Sequence, residues 1–69
     1  MKHLSPGIWK EEIDHATITV NENANNIGVL FENGKNFVIP YSSTPTIADF
    51  ERFRENVIES LKVFKKLAL

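Results

Sequence analysis

Cysteine is absent from this chain of 69 residues. Its absence excludes disulfide bonds, catalysis by a thiolate and metal sites built from thiolates. Glycine is scarce as well, and Gly7, Gly28 and Gly34 stand apart from one another, which excludes a glycine-rich phosphate-binding loop. A chain of this length buries only about 60% of the surface that its unfolded form exposes. Without disulfides, its stability has to come from apolar packing or from oligomerisation.

The chain also lacks an excess of charge of either sign. The chain has eight Lys and Arg residues and nine Asp and Glu residues, so the net charge is −1 with neutral histidine. This balance argues against nonspecific binding to duplex DNA and against mimicry of nucleic acid by an acidic surface. No segment approaches the roughly 20 apolar residues of a membrane span, and the first residues do not form a secretory signal pattern. We therefore expect no membrane partner and a cytoplasmic location.

Groups suited to catalysis are few. His15 follows Asp14, but neighbouring residues of a strand point to opposite faces, which separates this pair. The Glu12 to His15 spacing could direct two metal ligands to one side of a helix, but it falls where a strand is predicted to begin. We expect no catalytic residue, no metal site and no cofactor, and we predict that the protein is not an enzyme.

The last third of the chain has the pattern of one long amphipathic helix. Its apolar residues recur at steps of three and four, which places them on one side. The predicted helix covers residues 45–67, and either Thr44 or Thr46 could cap it, the latter together with Asp49. The apolar side is formed by Ile47, Phe50, Phe53, Val57, Ile58, Leu61 and Phe64.

Residues 14–41 have the pattern of a β-meander. The segment 15–20 alternates between apolar and polar residues, and strands are also predicted at 27–32 and 35–41. Between the last two, Asn33-Gly34 predicts a two-residue type I′ turn. Residues 1–13 are expected to form an N-terminal arm or a short helical turn capped by Ser5 with Pro6. Residues 1–69 thus form a single α+β domain, with a three-stranded antiparallel sheet of two hairpins and one long C-terminal helix packed on one face.

The predicted turn fixes which apolar residues share a face of the sheet. It places Leu30 opposite Phe37 and Val29 opposite Val38. One face, with Leu30, Phe37 and Ile39, is then expected to cover the helix. The other face would stay uncovered, and it carries Ile27, Val29, Phe31 and Val38.

Two further positions attract attention as packing or interface residues. Trp9 is the single tryptophan of a small protein and should be packed rather than exposed. Arg54 falls inside the apolar arc of the helix, where its stem could lie along the core or its guanidinium could bind a carboxylate or phosphate of a partner. The candidate interface residues are Trp9, Ile27, Val29, Phe31, Val38, Arg54 and Ile58.

A helix with a wide apolar arc and a hairpin apolar on both faces expose more apolar surface than one thin domain can cover. We therefore expect a homodimer or small oligomer that acts through protein–protein contacts as an adaptor, regulator or inhibitor. The alternative is a single-stranded nucleic-acid-binding protein that uses the sheet face and the basic end of the helix. Its layout of strands followed by a long helix is similar to that of small dimeric coactivator-type single-strand binders over about residues 15–66. The cations of this alternative are Lys35, Lys62, Lys65 and Lys66.

Overall fold

In the part of the chain that the structure describes, five antiparallel strands precede the helix, so the α+β class is correct but the prediction of a three-stranded sheet is wrong. The computed structural model describes the backbone of residues 2–67 and the side chains of residues 2–62. Each strand pairs with the next one along the chain, in the order β1-β2-β3-β4-β5. The elements are β1 (Lys2–Ser5), β2 (Ile8–Ile13), β3 (Ala16–Asn21), β4 (Asn26–Phe31), β5 (Asn36–Pro40) and α1 (Ile47–Leu67).

The N-terminal segment forms the two additional strands, rather than an arm or a helical turn. Pro6 and Gly7 occupy the centre of a tight turn between Ser5 and Ile8, which pair with each other. Gly7 has φ +79°, and proline followed by a residue with positive φ is the pattern of a type II turn. Ser5-Pro6 therefore starts the turn of a hairpin here and not a helix. The Gly7 carbonyl also accepts a hydrogen bond of 2.7 Å from the backbone N–H of Glu22, which ties this turn to the β3–β4 loop.

The β4–β5 hairpin has one more loop residue than the sequence pattern predicted. The Gly34 N–H donates to the Phe31 carbonyl at 2.9 Å, and the Phe31 N–H donates to the Lys35 carbonyl at 2.8 Å. Gly34 has φ +89°, whereas Asn33 does not have a positive φ. This is a type I turn followed by a glycine bulge, which replaces the expected type I′ turn. The register is shifted by one residue, and Val29 lies opposite Phe37.

The shift moves the β4 side chains to the opposite face from the predicted one, whereas those of β5 keep their predicted faces, because side chains alternate along a strand. Ile27, Val29 and Phe31 were expected on the uncovered face, but they are only 0%, 3% and 7% exposed and belong to the core. Leu30, expected under the helix, is 53% exposed. The buried apolar core consists of Ala16, Ile18, Val20, Ile27, Val29, Phe31, Phe50, Phe53 and Val57.

The helix is capped at Thr46, the second of the two predicted options. The Asp49 N–H donates to Thr46 Oγ1 at 3.1 Å, and the Thr46 N–H donates to Asp49 Oδ2 at 2.9 Å. The hydrogen bond from the Thr46 backbone is the main reason why the pKa of Asp49 is lowered, and Arg52 lowers it further. The helix buries Phe50, Phe53 and Val57, but Ile47 at its first turn is 76% exposed. The side chain of Phe64 lies outside the described residues.

Candidate interaction surface

Strand β5 forms one edge of the sheet, and all five of its residues are exposed. Phe37 and Ile39 lie on the helix side and are 43% and 38% exposed, since the helix covers this margin only in part. Val38 points to the opposite, helix-free face and is 55% exposed. An edge strand with apolar side chains on both faces is a template for pairing with another strand.

The backbone groups of β5 that point away from β4 follow from its hydrogen bonds. Phe31 bonds to Lys35, and the Tyr41 N–H donates to the Asn25 carbonyl at 2.8 Å. Hydrogen-bonded and non-hydrogen-bonded pairs alternate along an antiparallel ladder, so odd-numbered residues of β5 direct their N–H and C=O toward β4. Asn36, Val38 and Pro40 therefore direct theirs outward. Proline has no N–H, and it stands at a position where none is needed for pairing with β4.

The opposite edge of the sheet is protected in ways that β5 is not. Strand β1 is short, carries Lys2 and His3, and is interrupted by an irregularity between His3 and Ser5. Charged residues and bulges of this kind discourage pairing with another chain. Its exposed large apolar side chain is Leu4. Of the two edges of the sheet, β5 is therefore the less protected against the addition of another strand.

The helix-free face of the sheet is mostly polar away from β5. Thr17 and Thr19 occupy its centre, whereas Leu30 and Val38 lie close together near the β5 edge. Gly28 lies directly opposite Val38, and a Cβ at this glycine would lie 3.0 Å from Val38 Cγ2. Val38 therefore leans over Gly28. The apolar part of this face is thus concentrated beside the open edge.

Arg54 is bound within its own chain. Its Nε donates to Glu11 Oε2 at 2.6 Å, and the side chains are 43% and 24% exposed. Glu11 lies opposite Ile18 on the helix side of the sheet, so its carboxylate enters an otherwise apolar layer. The carboxylate that Arg54 binds comes from β2 of the same chain, and a contact of Arg54 with a partner molecule stays a prediction. Sequence reasoning missed Glu11, although its position between Trp9 and Ile13 at alternate strand positions was a usable signal.

Two candidate interface residues remain: Trp9 lies on the helix side of the sheet, and Ile58 lies on the helix itself. Trp9 is partly buried against the core, and its Nε1 donates to Glu22 Oε1 at 2.6 Å. The His3 ring lies over Trp9 with ring centroids 4.3 Å apart. Ile58 is half-buried and borders a shallow crevice together with Ile13 and Arg54. Neither residue is part of the β5 edge, so the structure does not bring the seven candidates into one patch.

Among the described residues, Lys35 and Lys62 of the nucleic-acid alternative are not joined by an aromatic platform on the helix-free face, whose centre carries Thr17 and Thr19. Lys35 is exposed in the β4–β5 turn, and Lys62 Nζ lies 3.3 Å from Glu59 Oε1. The side chains of Lys65 and Lys66 lie outside the described residues. Trp9 and Phe31 belong to the layer that packs against the helix, which removes them from the open face.

The histidines are engaged in local contacts. His15 lies in the β2–β3 turn with φ +63°, not on a strand, and its Nδ1 is 2.6 Å from Glu32 Oε2. Both side chains are exposed. Within the described part of the chain, no group of three or more His, Asp or Glu side chains is arranged to hold a metal ion.

Comparison with models of known protein families, with curated proteins and with solved structures finds no match. Over residues 2–67, no helix has both the length and the apolar character that crossing a membrane requires.

Proposed function

We propose that this protein is a non-enzymatic interaction module that self-associates and acts as an adaptor, regulator or inhibitor through protein–protein contacts. The single observation that supports this function is the open β5 edge, with Phe37, Val38 and Ile39 exposed on its two faces. Natural sheets usually protect such an edge with charges, bulges or a covering element. Strand addition to an exposed edge is a common mode of protein recognition, because the backbone supplies affinity and the alternate side chains supply specificity.

Sedimentation velocity over a range of protein concentrations tests the proposal. The wild-type chain is expected to form a species of twice the monomer mass as concentration rises. Val38→Lys places a charge at the centre of β5 and should shift the protein to monomer, because edge lysines oppose strand pairing. Leu30→Lys is the matched control, since Leu30 is 53% exposed and Val38 is 55% exposed on the same face.

The two variants separate edge pairing from general apolar association. If the helix-free face mediated association, Leu30→Lys would weaken it as much as Val38→Lys does. Retention of the dimer by Leu30→Lys and its loss in Val38→Lys would support the β5 edge. A wild-type chain that sediments as a monomer at every concentration up to hundreds of micromolar would contradict self-association.

No specific contact favours binding of single-stranded nucleic acid over this function. Sequence-tolerant binders of single strands combine stacking aromatics with a cationic groove. On the helix-free face, the centre is occupied by Thr17 and Thr19 rather than by aromatic residues. A titration with labelled oligonucleotide at low salt keeps this alternative testable.

A further inference from the structure

We infer that two copies of this chain pair their β5 strands antiparallel. The two-fold axis that relates the copies would pass midway between the two Val38 residues, which lie opposite each other. This inference rests on the proposed self-association and specifies its register. It would join two five-stranded sheets into one continuous sheet. The two-fold axis would stand perpendicular to the sheet, as in an isologous dimer, so both helices would lie on the same face.

The backbone restricts the possible registers. Only Asn36, Val38 and Pro40 direct their backbone groups outward, so hydrogen-bonded pairs between copies must combine these residues. In the register centred on Val38, each Val38 N–H meets the Val38 carbonyl of the second copy. Each Asn36 N–H meets the Pro40 carbonyl of the second copy. Proline acts there only as an acceptor, which is the one role it can perform in a ladder.

Side-chain matching distinguishes the remaining registers. With the axis at Val38, Phe37 of one copy faces Ile39 of the other on the helix side, and Val38 faces Val38. Moving the axis to Phe37 keeps the backbone bonds but places Ile39 opposite Lys35. Moving it to Ile39 places Val38 opposite Pro40, which has no N–H to donate, and removes half of the bonds. The Val38 register alone combines the full set of outward bonds with apolar pairs.

Charge and edge shape agree with a second copy as the occupant. In this register Lys35 lies opposite Tyr41 of the second copy, so no like charges face each other across the new pair of strands. The whole of β5, Asn36–Pro40, overlaps with its symmetry mate. The edge is therefore complementary to itself, in both its donors and its side chains.

Single-cysteine variants test the register directly, because the natural chain has no cysteine. Val38→Cys would place two Cα atoms about 5.5 Å apart across the axis, which suits a disulfide. Phe37→Cys and Ile39→Cys would place theirs at a diagonal distance of about 7–8 Å, beyond the usual range. Asn36→Cys would lie farther away still. All four variants are oxidised at equal concentration, with far-UV circular dichroism as the check of folding.

The expected result is that the disulfide-linked dimer becomes the major species for Val38→Cys and stays minor for the other three. A dominant dimer for Phe37→Cys or Ile39→Cys would overturn the register while keeping β5 pairing. Failure of all four to cross-link, with a wild-type chain that still sediments as a dimer, would overturn β5 as the contact. A monomeric wild-type chain would instead refute the proposed self-association itself.

Discussion

The ion pair between Glu11 and Arg54 predicts a pronounced coupling between sheet and helix. Arg54→Met keeps an apolar stem on the helix and removes the guanidinium, which leaves the Glu11 carboxylate without its 2.6 Å donor. The pair is neither fully exposed nor fully buried, at 24% for Glu11 and 43% for Arg54. Exposed pairs contribute about 0–1 kcal/mol, and breaking a buried pair costs about 3–5 kcal/mol. We therefore expect Arg54→Met to lower the free energy of unfolding by about 1–2 kcal/mol.

The double variant makes the test specific to the pair. Glu11→Leu alone should cost a similar amount, because it removes the acceptor of Arg54. Glu11→Leu with Arg54→Met should recover most of the loss, since two apolar side chains then meet between the sheet and the helix. Urea unfolding at one fixed protein concentration measures the four proteins of this cycle. Single-variant effects that simply add in the double variant would refute the coupling.

The same cycle also tests what Arg54 does for association. A residue bound to Glu11 within its own chain should not contribute to the dimer. Arg54→Met is therefore expected to lower stability while leaving the sedimentation dimer unchanged. A loss of dimer without a loss of stability would instead support the sequence prediction that Arg54 belongs to an interface.

Three further predictions concern stability and are measured by thermal or urea unfolding. The lowered pKa of Asp49 stabilises the fold above its unfolded pKa, so the advantage of the wild type over Asp49→Asn should disappear as the pH falls below about 4; a constant difference would contradict this. Val57 is 0% exposed, and Val57→Ala should cost about 2 kcal/mol. Ile47→Ala at a 76% exposed position should stay within about 0.5 kcal/mol, and equal costs would refute the assigned helix face. Gly7→Ala should cost more than Gly34→Ala although both have positive φ, because a Cβ at Gly7 would lie 2.7 Å from Asn23 Oδ1 while one at Gly34 meets nothing within 4 Å.

Long periodic segments were predictable from the sequence, and local turn chemistry was not. The regular apolar spacing predicted the helix, and the cap is the second of the two predicted options, Thr46 with Asp49. Ser5-Pro6 fitted a helix start and a turn equally well, and the following glycine with φ +79° decided for the turn. Because β2 contains Lys10, Glu11 and Glu12 in a row, its alternation was hidden.

The error with the largest consequence concerned a single loop residue. Asn33-Gly34 is favoured both in a two-residue type I′ turn and, with glycine as the last residue, in a three-residue loop with a bulge. Because side chains alternate along a strand, the choice between these two loops decides which side chains of β4 share a face of the sheet with a given side chain of β5. Val38 stayed on the exposed face, whereas Ile27, Val29 and Phe31 moved into the core. Among the described residues, Phe37, Val38 and Ile39 of β5 are exposed apolar side chains beside Leu30, and two further exposed ones, Leu4 and Ile47, lie elsewhere.

Self-association at β5 would explain several features of the strand together. Phe37 contacts Phe53 of the helix with ring centroids 5.7 Å apart and still leaves much of its side chain exposed. Ile39 is exposed beside it in the same way. In the proposed dimer, Phe37 of each copy would cover Ile39 of the other copy. The joined sheet would leave Leu30 and Val38 of both copies on the helix-free face.

Amide hydrogen exchange resolved by residue tests the central claim most directly. The N–H groups of Phe37 and Ile39 point toward β4 and should be protected at every protein concentration. Those of Asn36 and Val38 point outward, so they should exchange rapidly in dilute protein and become protected as the dimer forms. Protection of Asn36 and Val38 that rises with the dimer mass is the predicted result. Rapid exchange of both amides at concentrations where the dimer dominates would show that β5 is not where the copies meet.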